Sequence, residues 1–93
     1  MSDDLNENDP IKKSRDIISQ LKEMGHYSKS NIEKLSQFWL QLEDELDQKP
    51  YAERLSKLLN HESRFHEELE SLVSDFEIEC NRIENETSWF NLA

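Results

Sequence analysis

His61 and His66 enclose a glutamate in His61-Glu62-Ser63-Arg64-Phe65-His66, one residue longer than the zinc-binding spacing H-E-x-x-H. That one residue matters. On a helix, five residues turn the second imidazole about 140° from the first, so the pair cannot share one ion. His66 reads instead as a packed edge residue. Glu23-Met24-Gly25-His26 has the E-x-x-H spacing used by carboxylate-bridged di-iron bundles. No second copy exists, and a helix stop is expected at Gly25, between the two ligands. Cys80 has no His and Asn pattern to activate it, and a thiol in a Leu/Phe seam is normally inert. A phosphate-binding loop is ruled out because Gly25 is the only glycine. Acidic pairs such as Asp44-Glu45 and Glu67-Glu68 are adjacent in sequence and point different ways. The residues therefore assemble no complete catalytic or metal site, and no cofactor is expected. A metal-dependent enzyme is only a remote alternative.

The elements that carry these residues are more informative. From Tyr51 to Ile83 the chain has neither Gly nor Pro, and its apolar residues recur on steps of three and four. In heptad terms Leu55, Leu69, Phe76 and Ile83 occupy a, and Tyr51, Leu58, Phe65 and Leu72 occupy d. Glu62 and Glu79 fill the two gaps. A second row, Leu59, His66, Val73 and Cys80, runs along e. A strict two-stranded coiled coil needs only the a/d stripe, whereas an a/d/e face is wide enough to contact two helices at once. Such a helix is about 50 Å long.

Upstream, Asp9-Pro10 is a helix start, with Asp9 as N-cap and Pro10 at the first helical position. Ile11, Ile17, Ile18, Leu21 and Met24 form one face, and Gly25 supplies the left-handed residue that commonly ends a helix. Ser30-Asn31-Ile32-Glu33 then reads as a capping box opening a second helix. Its seam is Ile32, Leu35, Trp39, Leu42 and Leu46, with Phe38 beside it and Leu40 facing away. Pro50 breaks the pattern. Continuing one helix through it would turn the seams before and after it to different sides, so a turn is expected at Asp47–Pro50.

The expected fold is all-α: a three-helix arrangement, or short helical hairpin, with a long coiled-coil-like C-terminal helix extending beyond the bundle. Residues 1–9 read as a disordered acidic tail and 10–86 as the helical domain, with helices at about 10–24, 30–48 and 50–86. Residues 87–93 form an apolar C-terminal tail. The first two helices run out near Leu69 in this arrangement. The apolar residues beyond, Leu72, Val73, Phe76, Cys80 and Ile83, are then left without cover. Burying four large side chains is worth on the order of 6–12 kcal/mol, so a partner is expected. Leu69, Leu72, Val73, Phe76, Cys80, Ile83, Trp89, Phe90 and Leu92 are the expected partner-binding residues.

Composition narrows the partner. The net charge of −10 opposes direct contact with nucleic acid or an anionic membrane surface. No apolar run approaches the ~20 residues of a membrane span, so no membrane insertion is expected. A lone cysteine suits a reducing cytoplasmic or nuclear setting. The expected function is that of a non-enzymatic helical subunit, a scaffold or adaptor assembling with other helical chains, in a hetero-complex rather than a homodimer.

Trp89-Phe90-Asn91-Leu92, with acidic residues upstream, resembles the aromatic-x-x-aliphatic motif of autophagy cargo receptors and adaptors. The resemblance implies an alternative function, recruiting a ubiquitin-like modifier by strand addition, with Trp89 and Leu92 in two pockets. Trp39-Leu40-Gln41-Leu42 fits the same pattern inside a helical seam. The competing reading is that Trp89, Phe90 and Leu92 cap the helical assembly.

Overall fold

A computed structural model describes residues 9–92, with side chains described through Glu86. Helix α1 spans Pro10–Leu40, a π-helical turn spans Gln41–Glu45, and helix α2 spans Lys49–Leu92. The two helices fold back on each other as an antiparallel hairpin of 68 × 25 × 14 Å. Among the described residues there are two long helices, not three. Residues 1–8 of the expected tail at 1–9 lie outside the described residues, and Asp9 is the N-cap of α1, its side chain accepting from Ile11 N–H.

The first correction concerns Gly25. It does not end a helix: α1 runs through it, and no glycine has positive φ. The phase across it explains why. Ile11, Ser14, Ile18, Leu21, Gly25, Ser28, Ile32, Leu35, Trp39 and Leu42 follow unbroken alternating steps of three and four. One seam therefore spans what reads as two helices. Its small residues sit where α2 comes close. A Cβ built on Gly25 would lie 3.7 Å from Leu69 Cδ2, which is ordinary van der Waals contact. The Ser28 hydroxyl, 2% exposed, donates a 2.7 Å hydrogen bond to Glu62 Oε2, so the polar gap in the seam of α2 meets a polar residue of α1. Gly25→Ala is therefore expected to stabilise the hairpin by about 0.5–1 kcal/mol, the helix-interior cost of glycine. A chemical denaturation midpoint lower than that of the native chain would contradict this; a left-handed terminator would lose stability with alanine.

The turn at Pro50 is present. Leu46 N–H donates to Gln41 O at 2.8 Å and Gln48 N–H to Leu42 O at 2.7 Å, a widened helix end. Asp47 takes the left-handed conformation (φ 50°), which aspartate tolerates better than most residues. Tyr51 and Ala52 N–H groups then donate to Gln48 O, and Pro50 sits in a first turn where its missing N–H is no loss. Because the π turn shifts the register, Leu46 leaves the seam and is 60% exposed.

With α1 unbroken, α2 has no uncovered overhang starting at Leu69. Ion pairs tie the far ends together: Arg15 Nη2 lies 3.0 Å from Glu84 Oε2, and Lys22 Nζ lies 2.6 Å from Glu77 Oε1. The core is Ile18, Leu69, Val73 and Cys80, with Leu21 and Phe76 packed against it.

Candidate interaction surface

The a/d/e face of α2 is wide enough for two helices, and only two of its three rows face α1. Row e is inward: Ala52 and Cys80 are buried almost completely, Val73 is buried, and Leu59 and His66 are half-buried. Row a joins it, through buried Leu69 and half-buried Leu55, Glu62, Phe76 and Ile83. Row d faces out. Tyr51, Leu58, Phe65 and Leu72 are 57%, 56%, 43% and 52% exposed. A single neighbouring helix covers about two rows, and the third lies about 60° around from row a.

This divides the expected partner-binding residues. Leu69, Val73, Phe76, Cys80 and Ile83 lie along the contact with α1, while Leu72 is open to solvent. The backbone of α2 is helical through Leu92, so strand pairing there would require it to unwind. The side chains of Trp89, Phe90 and Leu92 lie outside the described residues.

The hairpin has two unlike faces. On one, a groove is lined by Leu35, Phe38, Leu58 and Phe65, with Asn31, Lys34, His61 and Glu62 around them. Seven-residue spacing places Met24 and Ile17 on the same side of α1 as Phe38; they are 48% and 51% exposed. The opposite face carries more charge. Its groove is lined by Leu21, Leu69, Val73 and Ile78 together with Lys22, His26, Lys29, His66, Glu70, Glu77 and Asn81. This side carries the Lys22–Glu77 and Arg15–Glu84 pairs, and Arg15 Nη2 also donates to Asn81 Oδ1 at 2.8 Å. The hydrogen bond from Arg15 holds the Glu84 carboxyl below its ordinary pKa, opposed by desolvation and helped by the Arg15 charge. Any stability from that shift is present at neutral pH and is lost as pH falls through the lowered value. The contact is partly exposed and ties the far ends of the two helices together on this face.

The structure separates one of the two candidate pairs and keeps the other on one helix. His61 and His66 line grooves on opposite faces, as the 140° argument requires. His66 Nε2 sits 2.6 Å from Glu70, and its buried Nδ1 has no hydrogen-bond partner among the described residues. Glu23 and His26 stand on one continuous helix, because Gly25 does not separate them. Among the described residues no group of three His, Cys, Asp or Glu is placed to hold a metal ion. Cys80 is a buried free thiol. No helix is long and apolar enough to cross a membrane among these residues.

Sequence reasoning found the width of the apolar face but not which row stays open. The missed signal was the unbroken phase of α1, which supplies one covering helix for the full length of α2. Comparison of the chain with protein-family models, curated proteins and solved structures finds no match.

Proposed function

We propose that this chain is a non-enzymatic assembly module, a helical hairpin that binds other helices through the Tyr51-Leu58-Phe65-Leu72 row. One observation carries the reading: α2 has three apolar rows and its own chain covers two. Each residue of the open row has about half its surface in water, on the face opposite the ion pairs. A solvated face of an acidic hairpin has no need of a tyrosine, a phenylalanine and two leucines at heptad spacing. Burying such a side chain is worth about 1.5–3 kcal/mol each, whereas the opposite face carries ion pairs to Glu77 and Glu84.

Gel filtration of a native cell extract tests this without naming a partner. The native chain should elute well above its 11.1 kDa monomer mass. Phe65→Glu should elute as monomer while remaining helical once purified. A native chain eluting as a monomer removes the proposal.

A further inference from the structure

Resting on that reading, we infer that the occupant of the open row is a second copy of this chain, packed antiparallel about a two-fold axis near His61 to make a four-helix bundle. The order of the row points to it. Tyr51, Leu58, Phe65 and Leu72 alternate aromatic and aliphatic. Reversed against itself, the row sets Tyr51 against Leu72 of the second copy and Leu58 against Phe65, so every ring meets a leucine and all four are buried. A slip of one heptad leaves one of them without a counterpart.

Charge selects the same register. Arg54, His61, Glu68 and Asp75 form the exposed row beside the apolar one, on the side away from α1. Antiparallel pairing that matches Tyr51 with Leu72 brings Arg54 of each copy to Glu68 of the other, twice per dimer, with His61 at the axis. A parallel α2–α2 arrangement sets Arg54 on Arg54 and Glu68 on Glu68. Complementary charge of this kind fixes register and partner choice. Nor does the net charge of −10 oppose the pairing at this face, because its outer rim is mixed: Lys34 and Arg54 stand against Glu68 and Asp75, and Glu62, also at the groove, is engaged by the Ser28 hydroxyl. Lys34 shares a groove with His61 and so comes near its own copy; it is exposed, with a stem long enough to turn its ammonium to water.

The area is adequate. Met24, Phe38, Tyr51, Leu58, Phe65 and Leu72 are between 43% and 57% exposed. At roughly 100 Å² left open on each, they present about 600 Å² per chain. That is the upper end for the largest patch on an ordinary monomer. With the polar rim added it approaches the ~800 Å² per partner of a stable complex.

Sedimentation of the purified full chain at micromolar concentration provides the test. A dimer is expected. Arg54→Glu should weaken it roughly tenfold, since two attractions become two repulsions. Glu68→Arg should do the same, and the double reversal should restore it to within about threefold. His61→Cys should cross-link to a dimer with a short bismaleimide, while the native Cys80, 1% exposed, should not. The inference is overturned by a purified monomer, by a dimer indifferent to both reversals, or by a dimer that His61→Cys fails to link. A purified monomer that still elutes as a large species in extract would leave the assembly module standing with a different helical partner; a monomer in both would remove both readings.

Discussion

Leu69→Ala is expected to lower the stability of the hairpin by about 2–5 kcal/mol, the range for truncating a buried leucine. Leu69 is 6% exposed and lies in the cluster with Ile18, Val73 and Cys80, facing Gly25 across the interface. Two features push the loss toward the upper end. The hairpin has one layer of contact, so few neighbours can move in to fill the gap. The residue opposite is a glycine, which has no side chain to reach across. Denaturant unfolding followed by circular dichroism at fixed protein concentration measures this loss. Restricting it to monomeric protein, for instance in the Phe65→Glu background, keeps association from masking the effect. A change under 1 kcal/mol would mean that the two helices do not meet at Gly25 and Leu69.

The second expected result sets two neighbours on α2 against each other. Phe76 and Leu72 are four residues apart on one helix, but Phe76 packs on the core cluster while Leu72 is 52% exposed. Phe76→Asp should cost at least about 3 kcal/mol, because it removes a packed ring and leaves a carboxylate in an apolar contact. Leu72→Asp should leave monomer stability within about 0.5 kcal/mol, as surface changes usually do. It should weaken association by at least about tenfold, since two leucines and two rings of a symmetric dimer lose their contact. Helicity and sedimentation measured on both variants separate the outcomes. If Leu72→Asp unfolds the chain and Phe76→Asp only dissociates it, the inward and outward rows have been assigned the wrong way round.

Much of this molecule was legible before folding was considered. Steps of three and four from Tyr51 to Ile83, with no Gly or Pro among them, are enough to require a long amphipathic helix. Pro50 forces a break, and the phase jump across it favours a turn over a rod. That His61 and His66 cannot share one ion also follows from spacing alone, since the angle between them is a property of any helix. What local signals misplaced was Gly25. Glycine is a common helix stop, and Ser30 with Glu33 supplied a plausible restart. Both are weak preferences of about 1 kcal/mol, and the continuous burial of one seam against α2 outweighs them.

Which apolar row stays in water was beyond the reach of the sequence. Rows a, d and e are similar in composition, and periodicity reports only that all three are apolar. The choice depends on where the covering helix lies. That position goes with the packing of Leu69 over Gly25, the Ser28–Glu62 hydrogen bond, and the Arg15 and Lys22 pairs on the Glu84 and Glu77 side. These contacts join residues far apart in the chain, so no local pattern encodes them. Once α1 settles over rows a and e, one helix has no width left to cover row d, and Tyr51, Leu58, Phe65 and Leu72 remain in water.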